Sequence, residues 1–328
     1  MRPLRAGILG PGGIAQRHAA AILAIPEAAE LVAVCGRDPE RTAAFADRFG
    51  GAPYAALERM LDEANLDLLI VALPPFAHGD EMRQAARRGI HLLLEKPIAL
   101  SDDEADRLVA AAHEAGIKTQ VGFMYRFGAA VSRWRALQAA GETGPVGLFT
   151  GRFHCNSLHA PWWRERAKSG GQMVEQLIHL IDLVRFHMRE PSTVYARAAN
   201  LFHKDLPRYD SEDVSAIVFG FEGGAIATLN STNAAIPGLW AKEWQIVAER
   251  MTGHFQDWNR ATLTWTMGDA RDEKIADETN VFSAELLDLV AAIREDRPAL
   301  TPVTEGAKSL KLALAVRRAA DERREIRL

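Results

Sequence analysis

Residues 7–15 read GILGPGGIA. The short apolar run that starts at Leu4 leads into Gly10, Gly12 and Gly13, and a stretch of helical periodicity follows. Gly10, Gly12 and Ala15 form a G-x-G-x-x-A pattern. The pattern stands directly after a predicted strand (4–9) and at the start of a predicted helix (13–25), the context that gives it meaning. Gly10 permits a tight turn. Gly12 lets a pyrophosphate approach the backbone, where the helix N-terminus holds its charge. Gly13 and Ile14 belong to the same cofactor-binding stretch, and Ala15 allows close helix–strand packing.

The end of the second strand (31–35) bears on which dinucleotide binds. An NAD site usually has a carboxylate there for the ribose hydroxyls. This chain reads VAVCGRD over 32–38, with Gly36 and Arg37 at that point. Gly36 is expected to leave space, and Arg37 to pair with a 2′-phosphate. Asp38 is the rival carboxylate, but followed by Pro39 it reads as a helix N-cap. NADP(H) is therefore expected in preference to NAD(H).

Further along, apolar runs and amphipathic stretches keep alternating. A third strand (66–73) closes on Pro74 and Pro75, a helix runs through Arg87, and a strand covers 90–94. Ser101 with Glu104 opens a helix that stops at Gly116, and a last strand covers 118–123. Strands that are apolar throughout, alternating with helices, imply a parallel sheet covered on both faces. After Tyr125 the pattern changes. Strand-like runs at 194–202, 214–221, 225–231, 244–249 and 263–267 follow without helices between them, which is how an antiparallel sheet reads. The expected architecture is α/β: a Rossmann dinucleotide-binding domain over 1–124, then an α/β domain over 125–328 for substrate binding and oligomerisation, with a large, mainly antiparallel sheet.

The 328 residues suffice for two cores, and the formal charge of −4 offers no attraction to nucleic acid or an anionic membrane. No stretch approaches the roughly 18 apolar residues of a membrane span. The apolar run after the N-terminal basic residues is too short for a signal peptide, so a cytoplasmic protein is expected. Two cysteines, Cys35 and Cys155, make no disulfide framework.

Two further stretches carry chemistry. In GIHLLLEKPIAL, residues 89–100, an apolar strand ends on Glu95, Lys96 and Pro97. Ligands of open parallel sheets bind beyond the carboxyl ends of the strands. A lysine there can hold a substrate hydroxyl and stabilise the alkoxide that develops as hydride leaves. In GGQMVEQLIHLIDLVRF, residues 170–186, the polar residues Gln172, Glu175, His179 and Asp182 are spaced 3, 4 and 3 apart. On one continuous helix (170–187) they would share a face. A carboxylate one turn before His179 suggests an acid–base pair.

With GILGPGGIA, LPPFAHGDEMRQAARRGIHLLLEKP and WWRERAKSGGQMVEQLIHLIDLVRF, the chain resembles the glucose–fructose oxidoreductase / inositol dehydrogenase / rhizopine-catabolism (Gfo/Idh/MocA) family over nearly its whole length. The resemblance implies an open-faced sheet in the second domain and a catalytic set of Lys96, Glu175 and His179. The family's polyol dehydrogenases have Asp where this chain has Glu175, and often Asn where it has Pro75. His78 matches the family's usual histidine. Leu73, Pro74, His78, Glu95 and Lys96 are then expected beside the cofactor.

Tyr125 and Arg126, with Trp162, Trp163 and Arg164, are expected at the substrate, because aromatic surfaces with polar neighbours suit a sugar ring. His154 and Asn156 are further candidates. HCNSLH, residues 154–159, superficially offers metal ligands, but without a carboxylate or second cysteine at ligand spacing no metal is expected. The expected function is hydride transfer between NAD(P) and a secondary alcohol of a sugar, cyclic polyol or related molecule. Alternatives are an NAD(P)-dependent glycosidase that oxidises its sugar transiently, or a non-catalytic dinucleotide sensor. A second-domain sheet with apolar residues on both faces, as in SAIVFGF (215–221), suggests a homodimer or homotetramer.

Overall fold

The computed structural model describes residues 1–268 and 271–328. The chain divides into two compact units, residues 1–124 with 280–308, and residues 125–279 with 309–328. The sequence suggested a single crossing at 124/125. The chain in fact returns at 280, because the Val281–Arg294 helix carries Leu286, Leu289 and Val290 into the first unit's core beside Ile8, Ala15, Ala19, Ile22 and Leu93.

The first unit holds six parallel strands: β1 (Leu4–Leu9), β2 (Ala29–Cys35), β3 (Ala52–Tyr54), β4 (Leu68–Val71), β5 (His91–Leu94) and β6 (Thr119–Val121). Their order is β3-β2-β1-β4-β5-β6, with every pair parallel. This is the doubly wound arrangement in which strand order reverses between β1 and β4 and ligands bind beyond the carboxyl ends there. Leu68, Leu69, Ile70 and Val71 are all fully buried, as a strand with helices on both faces requires. The Pro39–Phe49 helix starts as its sequence suggests, the Asp38 side chain accepting the Arg41 N–H at 3.1 Å. Ser101 likewise accepts from the Glu104 N–H at 3.3 Å to open the Asp102–Glu114 helix. β3 and the Leu57–Glu63 helix were not foreseen, since neither is long enough to show a period.

Among the described residues the second unit holds nine strands: β7 (Val146–His154), β8 (Thr193–Ala199), β9 (Val214–Gly220), β10 (Ile226–Thr232), β11 (Ala241–Ala248), β12 (Met251–Phe255), β13 (Arg260–Trp265), β14 (Arg271–Ala276) and β15 (Ile326–Arg327). The order is β14-β13-β12-β11-β7-β10-β9-β8-β15, and β7 with β10 is the parallel pair. Register sorts the two faces. Ala196, Ile217, Leu229, Gly151, Trp244 and Phe255 are successive cross-strand partners, and all are buried. The Ile178–Met188 helix covers this face, with Leu180 so close to Gly151 that a Cβ there would lie 3.4 Å away. The opposite face carries the row Tyr195, Val218, Thr228, Thr150, Gln245 and His254. There Tyr195, Val218, Ile226 and Leu148 are 37–45% exposed.

The expected single helix over 170–187 is instead two, Gln172–Glu175 and Ile178–Met188. At the break the Leu177 N–H reaches the Gln172 carbonyl, one residue further than an α-helix allows. Among the described residues no helix is long and apolar enough to cross a membrane.

Candidate active site

In the first unit the site is built by the ends of β1, β4 and β5. Gly10 has φ +89°, and a Cβ there would lie 2.8 Å from the Ala72 carbonyl oxygen. Only glycine allows this turn where β1 and β4 part. Gly12 begins the Gly13–Leu23 helix with no side-chain cap. A Cβ on Gly12 would meet nothing nearer than 3.9 Å, and one on Gly13 nothing within 4 Å. Open space therefore faces the first N–H groups of a helix, which lack intrahelical acceptors. Ile14, 37% exposed, stands beside them, while Ala15 is fully buried against the sheet. A dinucleotide pyrophosphate fits this cradle, with the Gly13 and Ile14 amides as donors, since the Gly12 N–H already bonds the Gly10 carbonyl at 2.7 Å.

At the end of β2 the structure corrects one expectation. Gly36 does not leave space, because a Cβ there would lie 2.5 Å from Thr42 Oγ1 and 2.7 Å from Pro11 Cδ. The consequence for a ligand is the same, since no carboxylate can stand at that position. Arg37 is exposed. Arg41, which the sequence reading passed over, places Nη2 3.9 Å from the Gly12 Cβ position. Asp38 is tied to its helix cap.

Leu73 and Pro74 follow β4 and are half-buried. The His78 side chain is 1% exposed, and its Nδ1 lies 2.7 Å from Glu81 Oε1. Lys96 leaves the end of β5 through a cis peptide to Pro97. Glu95, expected beside the cofactor, turns its carboxylate inward to His18.

In the second unit His179 opens the Ile178–Met188 helix and is 8% exposed. Its ring stacks on Tyr125 with centroids 4.6 Å apart, and Tyr125 stacks in turn on Trp258 at 4.6 Å. Burial, then the Asp257 and Glu175 carboxylates, push the Tyr125 phenol far up, so it stays protonated. Glu175 Oε2 accepts the Trp163 indole N–H at 2.7 Å. Trp163 also packs on His159 at 4.3 Å, and the Gln176 amide donates to His159 Nε2 at 2.8 Å. Lys242, on the helix-covered face of β11 opposite Phe153, holds its ammonium 5.0 Å from the Trp240 ring and 5.5 Å from that of Trp258.

Other expected residues have different partners. Gln172 bonds Asn233 and Ser231, and Asp182 takes both arms of the Arg126 guanidinium at 2.7 Å. With the helix broken at 176–177, the four polar residues spaced along it do not form one set. Arg126 is 4% exposed, held by that pair and by the Phe186 ring 4.5 Å beneath it. Arg164 braces the carbonyls of Leu158 and His159, and Trp162 is half-buried. Asn156 donates to the Ala235 carbonyl at 2.7 Å. His154 pairs with Asn230 on the open face of the sheet, since it alternates with Phe153. Cys155 Sγ is 3.8 Å from His159 Nε2, but burial pushes its thiol up to about 11, and no cluster of metal-ligating side chains exists among the described residues.

His18, His159, Gln176, Lys242 and Trp258 were missed. Only His159 left a trace in the sequence, as one end of HCNSLH. Its backbone has φ +52°, a conformation that non-glycine residues adopt mainly under local constraint.

The glycine turn at the β1/β4 switch point defines a dinucleotide-binding protein. A family model described as an oxidoreductase family with an NAD-binding Rossmann fold matches residues 4–123, and the GFO/IDH/MocA C-terminal domain matches residues 131–253. The chain belongs to the GFO/IDH/MocA oxidoreductase family. Glucose-6-phosphate 3-dehydrogenase of Bacillus subtilis is 34% identical over 184 residues, 54% of this chain and 52% of that protein, so the match spans about half of that relative. Inositol 2-dehydrogenase of Rhizobium meliloti is 25% identical over 98% of both chains. Among solved structures, the WlbA dehydrogenase from Bordetella pertussis in complex with NADH and UDP-GlcNAcA has a TM-score of 0.86 at 26% identity, covering 100% of this chain and 98% of that one.

Proposed function

We propose that this protein exchanges hydride between NADP(H) and a secondary alcohol or ketone of a sugar, cyclic polyol or related small molecule. The observation that carries the reading is the uncapped helix N-terminus behind Gly12 and Gly13, at the same strand ends from which Lys96 departs. The relatives' names support the substrate class, since they are dehydrogenases of a sugar phosphate and of inositol.

The bound dinucleotide supplies the hydride acceptor, or the donor in reduction. His179 accepts the proton of the reacting hydroxyl as a general base. Lys96 holds the same oxygen and stabilises the charge that develops there. Glu175 orients the pair, and Trp163 fixes Glu175 through the indole N–H. Trp258 and His159, both half-buried, supply flat surfaces for a sugar ring, backed by the buried rings of Tyr125 and Trp163.

Preference for NADP(H) is supported by the exposed Arg37 at the end of β2, by the Arg41 guanidinium beside Gly12, and by the space denied to a carboxylate at Gly36. The exposed apolar side chains on the open sheet face support a homodimer, or a tetramer built from dimers. The buried, unbridged Cys35 and Cys155 accord with a cytoplasmic setting.

Aldoses, sugar phosphates and inositols assayed for NADPH and NADH formation, and the corresponding ketones for the reverse reaction, test the proposal. Turnover with at least one member is expected. Failure of every alcohol and ketone with both dinucleotides would refute it. Hydrolysis of a glycoside without net reduction of the dinucleotide would move the protein to the glycosidase class.

A further inference from the structure

Beneath Lys96 the first unit buries a group of ionisable side chains that the proposed chemistry does not use. His18, on the helix that opens at the glycine turn, is 1% exposed, and Glu95 is 7% exposed. His18 Nε2 lies 2.7 Å from Glu95 Oε1. The other carboxylate oxygen, Oε2, accepts the backbone N–H of Lys96 at 3.3 Å. Just after β6, a Cβ on Gly122 would lie 3.1 Å from Glu95 Oε2, so the carboxylate occupies space that glycine leaves. The Phe282 ring meets His18 edge-on, with centroids 5.3 Å apart. From the same Val281–Arg294 helix comes Glu285, fully buried, whose carboxyl oxygens have no hydrogen-bond partner among the described residues. Burial, then the Glu95 and Asp288 carboxylates, raise the Glu285 pKa well above its usual value.

A carboxylate this deep is costly unless its hydrogen bonds are made. Glu95 makes one to His18 and one to the Lys96 amide, and Gly122 sets the wall behind it. The carboxylate cannot swing away without losing one of these bonds.

We propose that His18 is a positioning residue for Lys96. It holds the Glu95 carboxylate, which holds the Lys96 amide. The helix whose N-terminus cradles the dinucleotide thereby also sets the backbone from which Lys96 projects. The proposal rests on Lys96 acting at the substrate oxygen.

Hydrogen exchange of the protein without dinucleotide, followed at the peptide covering 92–99, is compared with steady-state kinetics on the best substrate of the panel above and with titration of NADP. In His18→Leu the Lys96 amide loses its fixed acceptor, so exchange and kcat should change in opposite senses, each by about tenfold or more, the scale of a lost charge-assisted hydrogen bond. NADP affinity should hardly move. His18→Gln, which keeps a nitrogen donor near the position of Nε2, should restore most of both. Gly122→Ala crowds the Glu95 carboxylate from the opposite side and should act in the same direction. The double variant should lose less than the product of the two single losses, because both act through Glu95. Lys96→Met separates the two readings. If Lys96→Met itself turns over normally, Lys96 does not act at the substrate oxygen and the proposed mechanism is wrong at that step. If Lys96→Met is inactive while His18→Leu and Gly122→Ala keep wild-type kcat and exchange, only the positioning role is overturned. Should His18→Leu fail to fold, Gly122→Ala with wild-type kcat and exchange overturns it alone.

Discussion

The Trp163 indole N–H donates to Glu175 Oε2 at 2.7 Å, joining the short Pro161–Arg164 helix to the carboxylate just ahead of His179. Trp163 is 3% exposed, so the bond is shielded from competing water. Trp163→Phe would keep the ring contact with His159 and remove this donor. Turnover should fall by roughly tenfold, the scale of a lost hydrogen bond to a charged group, with little change in melting temperature. Unchanged turnover would show that Glu175 needs no such anchor.

His179→Asn should lower alcohol oxidation by roughly two to four orders of magnitude, the contribution of a placed acid–base group. Lys96→Met should impair the same step, because the developing alkoxide loses its charged donor. Dinucleotide affinity, measured by fluorescence titration, should change little in His179→Asn. Normal turnover in either variant would remove that residue from the mechanism.

Arg37→Ala should weaken NADP by about ten- to hundredfold, as charge-assisted hydrogen bonds to phosphate imply, and weaken NAD far less. Arg41→Ala should act in the same sense. Titration of both dinucleotides decides: tighter NAD binding by the wild type, or equal losses for both, rules out the preference. Gly36→Asp is unsuitable as the reversing substitution, because the Cβ alone would collide with Thr42 and Pro11.

His187 offers a test by pH. Burial, then the Arg135 and Arg126 charges, lower its pKa from 6.5 to about 3. Its Nδ1 donates to Gln138 Oε1 at 2.9 Å. Between those two pH values the unfolded chain binds a proton that the folded one does not, so stability rises with pH across that window. This contribution is complete above pH 6.5 and is lost progressively as pH falls toward 3. His187→Gln should flatten that acid limb in urea denaturation at stepped pH. An unchanged slope would show that His187 does not set it.

On the open sheet face, Tyr195 and Val218 are direct cross-strand partners, 38% and 45% exposed. Sedimentation at micromolar concentration should show a dimer or tetramer. Val218→Asp should shift it toward monomer while leaving the fold intact by circular dichroism. A wild-type monomer would refute the assembly.

The sequence by itself determined the kind of fold and several of its turns and caps, but not the strand limits: the expected strand 66–73 is paired only over Leu68–Val71, and β12 was not foreseen. The glycine turn, the Asp38 and Ser101 caps and the apolar strands β1, β4 and β5 are local matters: a φ near +90° demands glycine, a cap needs a short polar side chain, and a doubly covered strand must be apolar. The positions of Lys96 and His179 at element ends were legible for the same reason. Tertiary structure alone decided the partners. Spacing placed Gln172, Glu175, His179 and Asp182 on one face only if the helix ran unbroken, and the segment before the break at 176–177 is held by bonds of Gln172 and Met173 to Asn233, Ser231 and Glu212, far along the chain. Arg126 looked like a ligand for substrate until Asp182, 56 residues later, took its guanidinium. His18 meets Glu95 across 77 residues. Such pairings follow from strand order and helix packing in space, and no local preference of the chain encodes them.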